Sequence, residues 1–190
     1  MFAIPGPQSA GSSSTETNWT WNPLDKGDLV TLSDGDKTAT FGGTANRVVR
    51  GTTAITGMKF FVLQASTASS TALGVANSSQ PLGNDPLGSG TDSVGRLSTI
   101  IFYNSTPVVT GLPALANDDL VMFAVDAATG RVWIGNYLSG TWYNSGDPAA
   151  GTGYVASITG TLYPAASGTD AAPSVATVVS IALPTGFNRL

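Results

Sequence analysis

Chemistry in this 190-residue chain must come from carboxylates, amides, hydroxyls and aromatic rings, because it contains neither histidine nor cysteine. That absence removes the Ser-His-Asp and Cys-His nucleophile arrangements, together with the imidazole and thiolate ligands that zinc prefers. Carboxylates alone can still cleave glycosides, a reaction that takes two acids about 5 to 9.5 Å apart with one of them protonated. The single glutamate, Glu16, lies in a stretch poor in large apolar groups, so both acids would have to be aspartates. Asp118 and Asp119 are adjacent, and adjacent side chains on a strand point to opposite faces, so the two cannot share a substrate. Asn-Asp-Asp ahead of an apolar run reads instead as turn chemistry. Asp34 and Asp36 flank Gly35 and, with Asp25 or Asp28, offer the oxygen ligands that calcium takes; an ordinary Asp-Gly turn accounts for the same residues. No catalytic residue, metal or cofactor is therefore expected, and the chain is not expected to be an enzyme.

Binding chemistry is better supplied. Trp142 and Tyr143 follow Tyr137-Leu-Ser-Gly140 in a Gly-rich, weakly patterned segment. Exposed aromatics in such a loop can stack on a sugar ring or anchor a protein contact. Asn144, Ser145 and Asp147 would add polar contacts beside them. The candidate binding residues are thus Tyr137, Trp142, Tyr143, Asn144 and Asp147, with core packing as the competing account of Trp142. Trp133, between Val132 and Ile134, belongs to an expected strand and is expected in the core.

The elements that position these residues are β-strands. Gly, Ser, Thr, Asn and Pro are plentiful, charged residues make up only 11% and lysine occurs three times, a balance that starves exposed helices and favours short strands joined by tight turns. Asp34-Gly35 between the alternating runs 28–33 and 37–41 is a hairpin signal. Further runs at 47–50, 57–65, 72–76, 97–103, 120–125, 132–136, 161–165 and 175–183 bring the expectation to about ten strands, enough for a sandwich. Residues 119–126 are apolar without alternation, as in a central strand covered on both faces. Asp126-Ala-Ala-Thr-Gly130 then supplies a tight reversal into the partner run. Residues 77–95 and 137–160 are left as the long loops able to carry function.

One domain is expected at this length, with residues 1–17 as an extended arm anchored by Phe2 and Ile4 and residues 18–190 as the sandwich. The formal net charge of −4 and the scattering of eight basic residues disfavour nucleic acid. No run approaches roughly 18 consecutive apolar residues, so no membrane partner is expected.

Asp118-Asp-Leu-Val-Met-Phe-Ala-Val-Asp-Ala-Ala-Thr-Gly-Arg-Val-Trp-Ile-Gly-Asn136, followed by Gly140-Thr-Trp-Tyr-Asn-Ser-Gly-Asp-Pro-Ala-Ala-Gly-Thr-Gly153, resembles the SPRY domain family, and within it the SPRY-like proteins of tailed bacteriophages. Trp21-Asn-Pro-Leu-Asp-Lys-Gly27, Met58-Lys-Phe-Phe-Val62, Leu73-Gly-Val-Ala76, Thr161-Leu-Tyr-Pro-Ala165 and Pro184-Thr-Gly-Phe187 fall in the order that family shows. Residues 66–70 and 77–96 depart from it. The resemblance implies an all-β fold of two antiparallel sheets packed face to face, a concanavalin-like jelly roll that recognises partners through loops at one edge. It further implies a virion protein in the tail or on the surface, touching other virion proteins. Multiple copies or a homo-oligomer would follow from particle symmetry. A host glycan or protein is a further expected partner. Two alternatives stand beside this reading: a capsid decoration protein whose arm lies on the head, and a lectin-like carbohydrate binder using the Trp142 loop.

Overall fold

The computed structural model describes residues 19–65, 70–169, 174–179 and 188–190; the arm residues Phe2 and Ile4 lie outside them. In sequence order the strands are β1 (Trp21–Lys26), β2 (Val30–Ser33), β3 (Thr38–Phe41), β4 (Arg47–Gly51), β5 (Met58–Ala65), β6 (Thr71–Asn77), β7 (Ser93–Leu97) and β8 (Ile100–Tyr103). They continue as β9 (Thr106–Val109), β10 (Asp119–Asp126), β11 (Arg131–Asn136), β12 (Thr141–Trp142), β13 (Ala156–Ser157), β14 (Leu162–Gly168), β15 (Ser174–Val179) and β16 (Asn188–Arg189). No helix of the described residues is long and apolar enough to cross a membrane.

The strands form the two stacked sheets that the residue pattern predicts. Sheet A runs β1-β4-β14-β6-β7-β8-β9, and sheet B runs β12-β11-β10-β5-β15-β3-β2 with β13 beside β11 and β16 beside β5. Pairing is antiparallel except between β16 and β5.

The two central strands of sheet B show why their sequences lack alternation. Phe61, Leu63 and Ala65 of β5, with Val121, Phe123 and Val125 of β10, enter the core between the sheets. Phe60, Val62 and Met122 point the other way and are buried in a separate cluster on the outward face. Burial of each such group contributes roughly 1.5–3 kcal/mol, so both faces of these strands are worth covering. Phe61 and Phe123 stack at 4.9 Å, and Trp19 meets the edges of Phe61 and Trp21. Trp21 crosses between the layers, its Nε1 donating to the Ala176 carbonyl at 3.1 Å, which satisfies the one polar atom its burial would otherwise orphan.

Several boundaries differ from expectation. The run 97–103 is two strands, β7 and β8, reversed at Ser98 and Thr99; Ser98 takes φ 45°. Edge strand β9 is absent from the expected runs: its Pro107 argues against a strand, yet an edge position asks for fewer donors. The Asp34-Gly35 hairpin uses a four-residue turn in which Asp34, Gly35 and Asp36 all have positive φ. Residues 180–183 of the last expected run lie outside the described residues.

Candidate functional site

Strand β11 sets the geometry of the candidate surface. Val132 and Ile134 enter the inter-sheet core, so Trp133 and Gly135 point outward. Gly135 pairs with Met122 on one side and Trp142 on the other; a side chain there would collide with the Met122 methyl and the β12 backbone. That gap lets Trp142 lie across the sheet onto Phe60, ring centroids 6.1 Å apart and nearly perpendicular. Tyr137 and Leu120 pack on the same Phe60, Val62 and Met122 cluster.

Between Tyr137 and Trp142 a tight turn displays Leu138, 72% exposed. Tyr137 N donates to the Leu120 carbonyl, Gly140 N to the Tyr137 carbonyl, and Ser139 N to Asn136 Oδ1. An exposed leucine on a pinned turn, flanked by two half-buried aromatics, is the composition of a contact anchor with little ordering entropy left to lose.

The five residues singled out from the sequence do not form one patch. Tyr137 and Trp142 meet on the outward face, whereas Tyr143, one residue further, turns inward. Its N–H donates to the Ile134 carbonyl, it packs against the core, and its ring lies 5.2 Å from the Arg96 guanidinium carbon. Asn144 and Asp147 maintain the loop that follows. Asn144 Nδ2 donates to the Tyr154 carbonyl, and Asp147 Oδ1 accepts from Ala149 N and Ala150 N. That loop covers Trp133: its Nε1 donates to the Thr152 carbonyl at 2.6 Å, and Tyr154 meets its ring edge-on. Arg131 in turn lies over Tyr154. Leu138, Tyr154 and Arg96 escaped the sequence reading. The available signals were a large apolar residue at a turn apex for Leu138 and, for Arg96, its parity with inward-facing Val94.

Of the four aspartates considered for calcium, Asp25 and Asp28 are engaged with arginines, and Asp34 and Asp36 stand in the positive-φ turn at Gly35. Asp25 holds Arg50 in a two-pronged ion pair, and Asp28 pairs with Arg47 at 2.6 Å. Among the described residues no group of three or more His, Cys, Asp or Glu is placed to hold a metal. Asp119 Oδ2 accepts from Ala116 N at 2.7 Å, and Asp118 sits at φ 69°, so both serve the turn ahead of β10, as expected.

Arg50 does more than pair with Asp25. Only 5% exposed, it also donates from Nη1 to the carbonyls of Asn77 and Gln80. Gln80 Oε1 accepts from Ser93 Oγ, which itself accepts from Gly88 N, while Leu87 N donates to Ser167 Oγ. The segment 78–92 is thereby clamped onto the outward face of sheet A. Leu87, Leu97, Ala72 and Phe102 there line a mostly apolar cavity of about 460 Å³.

With neither histidine nor cysteine in the sequence, no side-chain type present has an ordinary pKa between about 5 and 8. The hydrogen bond from Arg47 holds the Asp28 carboxyl below the usual carboxylate range, so its contribution is present above the unfolded-state pKa and lost as pH falls through the folded one. The exposure of the Asp28 side chain makes that contribution small. With no histidine or cysteine in the sequence, the unfolding midpoint is expected to be flat from about pH 5.5 to 8. Thermal melts across a pH series would check this; a sigmoidal step near neutrality would contradict it.

No family profile matches the protein, and no curated protein matches its sequence. Solved structures do match its fold. The PSpry domain of TRIM65 aligns over 86% of this chain and 93% of its own, with TM-score 0.66 and 17% identity. The SPRY domain of human HERC1 aligns over 86% and 99%, with TM-score 0.65 and 13% identity. Stonustoxin aligns over 85% of this chain but 27% of its own, with TM-score 0.55 and 16% identity. The architecture is thus the SPRY sandwich, shared at identities that establish fold alone.

Proposed function

We propose that this protein is a non-catalytic SPRY-fold binding module of a tailed-bacteriophage particle, carried in the tail or on the surface in copies set by the particle's symmetry. The sequence resemblance over residues 118–153 supports the phage setting, and the shared sandwich supports a role in protein contacts. The observation that carries the binding reading is Leu138, exposed on a pinned turn between Tyr137 and Trp142. Such an apolar anchor with aromatic flanks suits a protein partner, either a neighbouring virion protein or a host surface protein. A sugar would need polar groups aimed beside the rings, whereas Asn144 Nδ2 and Asp147 Oδ1 hold the backbone of their own loop. The protein-contact reading is therefore preferred over the lectin-like one.

Purified particles are expected to contain the protein at a fixed copy number, read by quantitative mass spectrometry and located by particle imaging. Its absence from particles would refute the virion assignment. Leu138→Asp is expected to reduce incorporation or partner binding by at least about thirtyfold, the loss of a central anchor. Because Leu138 is exposed, the same change should move stability by less than about 0.5 kcal/mol. Undiminished binding by a folded Leu138→Asp variant would exclude this surface.

A further inference from the structure

Arg96 is the second buried arginine of the described sandwich, and it is treated very differently from Arg50. On β7 it shares the inward parity of Val94, and it is paired in register with the core residues Leu73 and Ile101 on its two neighbours. It is 1% exposed. Nη2 donates to the Pro113 carbonyl at 2.6 Å, and the Tyr143 ring faces the guanidinium. Nε and Nη1 are buried and have no hydrogen-bond partner among the described residues.

A guanidinium carries five N–H donors, and an unmatched buried charge is among the most costly features a core can hold. Arg50 meets that demand with a two-pronged carboxylate and two carbonyls; Arg96 has one carbonyl and a ring face. Burial lowers the pKa of Arg96, with Tyr143 and the Asp119 carboxylate acting in the opposite direction. Asp119 nevertheless spends Oδ2 on Ala116 N and forms no ion pair with Arg96 within the described residues. An apolar side chain would fill the same space more cheaply, as Leu73 and Ile101 do on either side.

We propose that Arg96 anchors a carboxylate-binding site between the sheets, entered from the side where the Pro113 carbonyl meets the guanidinium. The donors left over, Nε–H and the Nη1 hydrogens, suit a planar monoanion, and arginine matches carboxylate geometry through paired N–H bonds. The roof over the guanidinium is the connection from β9 to β10. It is fastened by Leu112 N to the Thr99 carbonyl, by Asp118 N to the Ala65 carbonyl and by buried Leu115. Gly111 within it has φ +70° and open space around it, a place where the connection can bend. Lifting Pro113 exposes Nη2 as well and completes the fork. This site lies on the opposite side of β12 from Trp142 and does not depend on the particle setting proposed above. Its ligand is an acidic side chain or the free carboxylate at the end of a polypeptide.

The test is a titration of the ¹⁵N-labelled full-length protein with sodium acetate against sodium chloride at constant ionic strength. It follows the Arg96 Nε–H resonance, assigned by its loss in Arg96→Lys. A saturable shift specific to acetate is expected; identical responses to the two salts overturn the proposal. The natural protein's unfolding midpoint is expected to rise with acetate over chloride, and Arg96→Met, of similar length, is expected to lose that rise. An undiminished rise overturns the proposal, and should that variant fail to fold, the resonance titration still decides. If Asp119→Asn alone moves the Arg96 resonance as far as acetate does, the carboxylate is internal and the proposal falls. Two tripeptides separate the sources: one with a free C-terminus and no acidic side chain, one amidated with a single aspartate. The source is the peptide that shifts the resonance at the lower concentration.

Discussion

Asp25→Ala is expected to destabilise the domain by about 3 kcal/mol, lowering its unfolding midpoint by roughly 6–12 °C at this length. The reason is what the substitution leaves behind. Arg50 stays buried with its Nη1 on the Asn77 and Gln80 carbonyls, while Nε and Nη2 lose both oxygens of their partner. The Asp25 side chain is 28% exposed, so water can replace part of the loss, which puts the cost at the lower end of the range for broken buried pairs. Removing both charges together, as Asp25→Leu with Arg50→Met, should recover most of the stability because no unpaired ion remains. Amide exchange should rise chiefly in residues 78–92, since Arg50 is what fixes Gln80 and, through it, Ser93 and Gly88. Denaturant melts of the single and double variants would check the ordering. A cost below about 1 kcal/mol for Asp25→Ala would mean the clamp is dispensable, as many ion pairs are. Asp28→Ala is the internal control, because its side chain is 76% exposed where that of Asp25 is 28%.

That clamp also shows where the sequence could be read and where it could not. Strands β10 and β11 were legible because residues 119–126 form an unbroken apolar run and Asp126-Ala-Ala-Thr-Gly130 closes it. In the structure Asp126 caps that turn through Ala128 N and Thr129 Oγ1. Of residues 77–95, expected as a long loop, 78–92 do connect β6 to β7, but held in place in a way composition does not show. Their polar and Gly-rich composition reads as a free loop, but buried polar residues such as Gln80, Ser93 and Arg50 cost little once every donor finds an acceptor, and composition does not reveal partners. Read from sequence, Trp142 and Tyr143 share one surface because both follow Tyr137-Leu-Ser-Gly140 in an expected loop. They sit on and just after a two-residue strand, too short for alternation to be visible, and strand parity sends them to opposite faces. The sandwich was therefore readable from periodicity, whereas the candidate site depended on the parity of a single short element.

The largest single-residue effect is expected at Gly74→Ala, at about 3 kcal/mol or more, with insoluble expression as the extreme outcome. Backbone entropy argues for the opposite sign, since replacing glycine by alanine where the backbone allows it stabilises by roughly 0.4–1 kcal/mol. Sterics decide the matter here. Gly74 on β6 faces Gly95 on β7 across sheet A, and both point away from the inter-sheet core that takes Leu73, Val75 and Val94. A Cβ on Gly74 would be driven into the Val94 carbonyl, which is backbone of a strand held between β6 and β8. Neither strand can yield without breaking the ladder, so the cost exceeds ordinary overpacking. Gly95→Ala provides the comparison. Its Cβ would stand 2.7 Å from the Leu87 Cβ, and Leu87 belongs to a connection that can lift by giving up its bond to Ser167. That substitution should cost about 1–2 kcal/mol and loosen residues 86–89 over the apolar cavity. The order of the two costs is therefore the diagnostic quantity. If Gly74→Ala proves neutral or milder than Gly95→Ala in denaturant melts, β6 and β7 are not in close contact at Gly74, and the outward face of sheet A has room that the packing of Leu87 denies.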